Sequence, residues 1–453
     1  MPSGPEHAAE ASRLRPRTYA VLVLCAFGFG LTLYVFYPGV MTFDARYVYS
    51  YIVQRDELVD WQSPLMTLLW AAIDPIAPGP GSMFLLDASL YWLAFTLLAL
   101  AVARYSWFAL ALPLLALSPP AFVLVGIIWR DVLFAIVWLL AAALVLFTKD
   151  RNTIARYSIQ VFALALVAFG VLLRPNALTA APILAAFILW PSRIKLMRTL
   201  AAYVPALALF YVLVPVVYYD IIGVKQVHPL HSIFVFDLGG ITHFSKQNQF
   251  PVSWTQAETT MLTEQCYNPL EWNFYWNAGP CQFVMRRLEG EKVFGTPLLT
   301  NAWRRAVLGN PMAYLRHRMA FTETFLAKSN LAMWTYDLND TTKVAFVDNP
   351  ALMKLKAIHD ELQPTFLFRQ GTWLLLCAGL CALALLRRDT SDGAFVFGVC
   401  GSGVVYIATY FVLGVASDYR YSYWAVLGGI AGAVVLLPRL FGRGASTVVN
   451  DAG

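Results

Sequence analysis

The feature that most restricts this chain is a succession of apolar runs, each near the roughly 20 residues an α-helix needs to cross a bilayer's hydrocarbon core. They fall at about 18–37, 82–103, 107–126, 131–147, 157–173, 177–190, 199–219, 366–386, 393–415 and 421–438, ten in all. A bilayer offers no water to unsatisfied backbone groups, so such runs are expected to be helices. Only 13% of the residues are charged, against roughly 25% in an ordinary soluble protein, and that excludes a water-soluble globule. The formal charge of +6 would suit nucleic acid if the basic residues shared one surface, but they lie between the apolar runs. They report membrane topology, and no nucleic-acid partner is expected.

Arg13, Arg15 and Arg17 precede the first run and place the N-terminus in the cytoplasm. That run has no small-residue cleavage site before Tyr37-Pro38-Gly39, so it is expected to be retained. If the chain crosses at every run, one set of connections holds Arg104; Lys149, Arg151 and Arg156; Arg193, Lys195 and Arg198; Arg387 and Arg388; and Arg439 and Arg443, all on the cytoplasmic side. The apolar stretch Pro64 to Ile76 is too short to span and is expected to lie in the interface or re-enter. Counting it as a crossing would put every arginine cluster outside. Asp87, near one end of its run, is expected at the surface.

The organisation predicted is an all-α integral membrane protein of about ten transmembrane helices with a mixed extracytoplasmic domain. The parts are a cytoplasmic tail (1–17), a membrane domain (18–219) with a first outer loop (38–81), an extracytoplasmic domain (220–365), C-terminal membrane helices (366–440) and a second cytoplasmic tail (441–453). The long polar region interleaves Gln, Asn, Trp and Tyr, as in Glu271-Trp272-Asn273-Phe274-Tyr275-Trp276-Asn277, and shows helical spacing around 302–325 with a break at Asn310-Pro311. Cys266 and Cys281, both on the outer side, are expected to close a disulfide worth about 3 kcal/mol in the chain-entropy model. The other four cysteines lie within apolar runs and read as small packing residues.

The outer helix ends carry the chemistry. Asp44 follows the first run at the water–membrane boundary, where a carboxylate can accept a proton from an attacking hydroxyl or amide, bind a metal, pair with Arg46 or cap a helix. Arg130, Arg174 and Arg420 each lie within a few residues of an outer helix end, beside Asp131, Asn176 and Asp418. A guanidinium stays charged and binds phosphate in bidentate fashion, so three converging on one face suit a lipid-linked phosphate leaving group; the alternative is pairing with neighbouring carboxylates. His228, His231 and His243 with Asp237 match no strong metal-ligand spacing and are expected to be surface or interface residues, and His317 to be structural or to face headgroups. Neither a phosphate-binding Walker loop nor a GxSxG elbow is present.

The order of these parts resembles the GT-C superfamily of polytopic membrane glycosyltransferases, which includes protein mannosyltransferases and bacterial lipid A aminoarabinose transferases. The resemblance rests on Pro38-Gly39 through Phe43-Asp44, on Asp60-Trp61-Gln62-Ser63-Pro64-Leu65 where many relatives have Trp-His-Pro-Pro, and on Trp129-Arg130-Asp131. It extends to Leu172-Leu173-Arg174-Pro175-Asn176, to Asn310-Pro311 with Tyr314-Leu315-Arg316-His317-Arg318, and to Arg420-Tyr421. It implies glycosyl transfer on the non-cytoplasmic face of a bacterial inner membrane, from a polyprenyl-phosphate sugar donor to a glycan, lipid or protein acceptor. Asp44 is then the general base or the group orienting the acceptor. Arg130, Arg174 and Arg420 neutralise the departing phosphate, and Gln62, Asp131, Asn176, Asp418 and Tyr421 contact substrate. Relatives often carry a paired acid in the first loop, where this chain has Ala45 and Arg46, so a divalent metal is possible but not favoured. The alternatives are a ligase or polymerase of lipid-linked oligosaccharides and a flippase or transporter of lipid-linked sugars. A transporter would be expected to carry ionisable residues near the midplane of its spans.

Overall fold

In the computed structural model the described residues are 5–54, 57–276, 279–328 and 349–441. Among them all regular structure is helical, and extended pairing is confined to three isolated bridges. Seven helical segments are long and apolar enough to cross a membrane: Pro16–Phe36, Pro80–Ala103, Arg130–Phe147, Thr153–Leu173, Leu196–Ile221, Ser391–Leu413 and Tyr419–Leu440. The chain is an all-α, multi-pass membrane protein.

We name the helices in chain order: α1 (Pro5–Phe36), α2 (Phe43–Gln54), α3 (Pro64–Ile73), α4 (Pro80–Ala103), α5 (Ala111–Ala116), α6 (Pro119–Phe122), α7 (Arg130–Phe147), α8 (Thr153–Leu173), α9 (Ala181–Leu189) and α10 (Leu196–Pro215). After a π-helical turn at Val216–Ile221 come α11 (His231–Ser245), α12 (Gln256–Glu264), α13 (Phe283–Gly290), α14 (Pro297–Gly309), α15 (Pro311–Ala327) and α16 (Pro350–Leu362). The chain ends in α17 (Gln370–Leu385), α18 (Ser391–Leu413) and α19 (Tyr423–Phe441).

Three of the ten expected spans form shorter pieces, and proline explains two of them. Residues 107–126 form a 3-10 turn, α5 and α6, and Pro119 and Pro120 open α6 apart from α5, because each ring removes an N–H and crowds the preceding turn. Pro175 and Pro182 likewise divide 177–190 into a 3-10 turn and the nine residues of α9. Residues 366–386 hold a 3-10 turn and the 16-residue α17. The stretch from Pro64 is a short helix, as its length implies: Ser63 caps α3 by accepting from the Met66 N–H at 3.3 Å, and Pro64 occupies its first turn.

The bundle has two charged ends. At one, Arg104 pairs with Asp150 (2.9 Å), Asp392 takes both Lys149 (3.6 Å) and Arg439 (2.8 Å), and the Ile194 N–H donates to the Arg388 carbonyl (2.7 Å). At the other, Arg174 pairs with Asp131 and Arg420 with Asp44. The 18 residues of α7 join the two ends, a length of about 27 Å at helical rise. Since Arg104 sits at one end of α7 and Arg130 at the other, the broken segment between them runs the length of α7. Past Arg198 in its first turn, α10 exposes apolar side chains, among them Leu200, Val204, Leu209 and Val212, as suits a surface facing lipid.

The polar region is helical among its described residues, α11 to α16, rather than mixed. Thr255 and Glu258 form a capping box at α12, and the chain breaks between α14 and α15 at Asn310-Pro311. Cys266 and Cys281 are disulfide-bonded. The centre of this region is a fully buried ionic knot. The Asp237 carboxylate accepts from His317 (3.1 Å), Arg318 (2.7 Å) and the Trp303 indole (2.7 Å). The expectation for Asp87 is overturned: it is 0% exposed, enclosed where α4 packs against its neighbours.

Candidate active site

Two short tethers bring the first outer loop to the head of α7. Gly39 has φ +105°, open to glycine without strain, and turns the chain so that Val40 bridges Ile127. The Val40 N–H donates to the Gly126 carbonyl (2.8 Å) and the Ile128 N–H to the Val40 carbonyl (3.1 Å). The Trp129 indole then donates to Thr42 Oγ1 (2.7 Å). Asp44, in the first turn of α2, thus lies beside Arg130 and Asp131, and the helix N-terminus favours its negative charge.

The third strand of the site comes from the far end of the chain. Asp418 accepts from the Arg420 N–H (3.0 Å) and opens a 3-10 turn, Tyr419–Ser422, that aims the Arg420 guanidinium inward. Arg420 donates from Nη1 to Asp44 Oδ2 (2.6 Å), pairs through Nε with Asp418 Oδ2 (3.2 Å) and lies 4.5 Å over the Trp129 ring. Gln62 Nε2 donates to the other Asp44 oxygen at 3.1 Å. Its neighbour Asp60 is structural, accepting from Tyr219 Oη (2.9 Å) and the Val227 N–H (2.7 Å).

These groups line a cavity of about 350 Å³, within the range of small-molecule sites. Asp44, Gln62, Arg130, Asp131, Arg174, Asp418, Arg420 and Tyr421 all face it. Asn176 does not: the 3-10 turn beginning at Pro175 carries it away from the lining, so its expected substrate contact is withdrawn.

The three arginines differ. Arg174 is buried, pairs through Nε with Asp131 (3.0 Å), donates to Tyr410 Oη (3.0 Å) and lies 4.9 Å from the Tyr421 ring centre. Arg420 is held by two carboxylates. Arg130 has no carboxylate within 4 Å among the described residues, and its one hydrogen bond runs from Nη1 to the Trp61 carbonyl at 3.4 Å. One guanidinium facing the cavity is therefore not directly paired, and it feels Asp131 and Asp44 only at longer range.

The carboxyls differ as well. Burial pushes Asp44 up, but Arg420, reinforced by Arg130 and Arg174, outweighs it and holds the group below the usual carboxylate range. Asp418 moves the other way: burial raises it, Arg420 offsets only part, and Asp131 and Asp44 add like-charge repulsion. The site thus holds one firmly ionised acid beside one that binds a proton more readily, an arrangement suited to proton transfer.

The sequence singled out the aromatic stretch after Leu270 without identifying which rings matter. Trp61, Trp272 and Trp276 line the cavity, as do Glu271 and Asn273 on either side of Trp272. They are fixed by pairing with 415–417: the Trp272 N–H donates to the Val415 carbonyl (2.8 Å) and the Ser417 N–H to the Leu270 carbonyl (2.7 Å). Arg318, from the buried knot, donates to the Gly414 carbonyl (2.7 Å), and Phe321 packs where a Gly414 side chain would stand. His317 belongs to this knot, and burial lowers its proton affinity.

The histidine grouping does not gather at a metal. His231 Nδ1 accepts from the Gly295 N–H (3.0 Å), His243 meets the Thr263 carbonyl (3.0 Å), and Asp237 faces His317. Among the described residues no three His, Cys, Asp or Glu side chains are placed to hold a metal ion. The chain matches no protein-family model, no curated protein and no solved structure, so the reading of this site rests on its own geometry.

Proposed function

We propose that this protein is a membrane glycosyltransferase that moves a sugar from a polyprenyl-phosphate-linked donor to a glycan, lipid or protein acceptor, of the kind found in the GT-C superfamily. The observation that carries the reading is Arg130: a guanidinium facing a cavity, in direct contact with no carboxylate among the described residues, near an ionised Asp44 and a second arginine. A phosphate diester at the membrane boundary fits a guanidinium whose hydrogen-bonding edge is not taken by a carboxylate.

In the proposed reaction the donor phosphate lies against Arg130 and Arg420. By competing for Arg420 it removes part of the charge that holds Asp44 ionised, which raises the proton affinity of Asp44. Asp44 takes the acceptor proton as the acceptor oxygen attacks the anomeric carbon. The bond from that carbon to the phosphate oxygen breaks, and its electron pair leaves on the phosphate, where the arginines offset the growing charge. A single displacement inverts the anomeric centre. Asp418 and Gln62 hold Arg420 and Asp44 in place.

The chain is read as crossing a bacterial inner membrane ten times, with the cavity at the periplasmic end. Support comes from the segregation of the two charged ends and from the end-to-end course of the three shorter segments. The position of the charged cavity at helix ends, away from the middle of the bundle, favours transfer over transport. The purified protein in liposomes should release polyprenyl phosphate from a radiolabelled donor with no ion gradient. Asp44→Asn should fold and lose roughly 10²-fold or more of that turnover. Full turnover in the variant would remove Asp44 from the chemistry.

A further inference from the structure

Trp61, Trp272 and Trp276 form a three-ring surface at the cavity. Ring centroids are 6.1 Å apart for Trp61 and Trp272, 6.1 Å for Trp61 and Trp276, and 5.9 Å for Trp272 and Trp276. Trp61 and Trp276 are nearly parallel, at 24°. Four buried indoles elsewhere donate inside the protein, Trp70 to the Gly79 carbonyl, Trp92 to Thr32, Trp138 to the Val167 carbonyl and Trp424 to Ser402, while the buried Trp254 N–H has no partner among the described residues. None of the three cavity indoles donates to a described residue. A ring that serves only as packing usually buries its N–H and satisfies it. Trp276 instead remains 36% exposed.

The polar groups beside the rings are of one kind. Glu271 Oε2 accepts from Asn273 Nδ2 (2.8 Å), its other oxygen is unengaged, and no cation lies within 4 Å among the described residues. The three rings, tilted to one another by 24°, 39° and 44°, make an aromatic surface edged by a carboxylate, an amide and N–H donors. It is complementary to a ring with one C–H face and a rim of hydroxyls. The link from Arg130 to the Trp61 carbonyl sets the unpaired guanidinium at one edge of the surface.

We propose that the Trp61–Trp272–Trp276 surface is a saccharide subsite: a pyranose ring stacks on the indoles and hydrogen-bonds Glu271 and Asn273, next to the phosphate position at Arg130. The assignment deepens the transferase reading and rests on it for its biological meaning, but the subsite can be tested without turnover. The ring belongs either to the donor or to a glycan acceptor, and the chemistry recognised is the same.

The full-length protein in a sugar-free detergent is titrated with methyl gluco-, manno-, galacto- and arabinopyranosides, with a short-chain prenyl phosphate, and with the corresponding prenyl-phosphate glycosides, by intrinsic tryptophan fluorescence and calorimetry. At least one glycoside should bind with a blue shift. Trp276→Ala should weaken it roughly ten- to a hundredfold, the scale of a lost ring-stacking contact, while prenyl phosphate affinity stays within about twofold. Trp276→Phe should restore part of the loss. A free glycoside displaced by the prenyl-phosphate glycoside assigns the ring to the donor; simultaneous binding assigns it to an acceptor. Absence of any glycoside binding to the wild type, or an equal loss of prenyl phosphate affinity in Trp276→Ala, would overturn the subsite. Tryptophan-dependent glycoside binding without transfer activity would instead remove the transferase reading and leave the subsite standing.

Discussion

Replacing Arg130 and Arg174 in turn by glutamine separates an arginine that serves the ligand from one that serves the fold. Arg174 and Asp131 are both almost enclosed, with side-chain exposures of 8% and 4%, and lie 3.0 Å apart. Breaking a buried pair from one side leaves an uncompensated charge and costs about 3–5 kcal/mol. Arg174→Gln should therefore lower the melting midpoint in detergent sharply, whatever ligand is present. Arg130 gives up only a 3.4 Å bond to a carbonyl, so Arg130→Gln should cost at most about 1 kcal/mol of stability. Its loss should be felt by the anion. One charge-assisted hydrogen bond to phosphate contributes about 1.5–3 kcal/mol, or roughly ten- to 150-fold in Kd. The assay is a melting curve with and without a saturating prenyl phosphate, with affinity taken from the ligand-induced shift. If Arg130→Gln melts as early as Arg174→Gln and keeps its ligand-induced shift, Arg130 is a structural cation and the argument from its lack of a direct carboxylate contact fails.

Asp237→Asn should destabilise the protein by a similar 3–5 kcal/mol because it strips the buried Arg318 of its counter-ion, and Asp237→Asn with Arg318→Met should recover part of the loss in the same melting assay. Reducing Cys266–Cys281, or replacing both by serine, should cost about 3 kcal/mol for a loop of 15 residues, seen as a lower midpoint with dithiothreitol. His231 is lowered to about 4 by burial and by His228, so the unfolded chain takes up its proton before the folded one does. Stability from this group is complete above the unfolded value near 6.5 and drains away as pH falls from there to about 4. His231→Gln should flatten that part of a melting-midpoint profile, and an unchanged slope would assign the acid sensitivity to other groups.

Much of the local structure was legible because its causes are local. The Ser63-Pro64 turn into α3 and the Asn310-Pro311 break both act through their own turn of backbone. The run lengths were read correctly as long apolar helices where nothing interrupts them, but counting apolar residues overlooked Pro119 and Pro182 as breaks. Asp87 was misplaced for a different reason: closeness to the end of an apolar run says nothing of what packs over it.

For the site, the sequence by itself determined that the ionised side chains at these helix ends are few, and which ones they are, because charge is excluded from apolar runs. Only the tertiary structure decided their partners. It paired Asp131 with Arg174 rather than with its neighbour Arg130, gave Arg420 to Asp44, left Asn176 off the cavity and stood Trp61 against Trp272 and Trp276 from a distant segment. Helix formation depends on residues three and four apart, whereas a binding surface depends on which helix ends are packed together, and that is settled by contacts far apart in the chain.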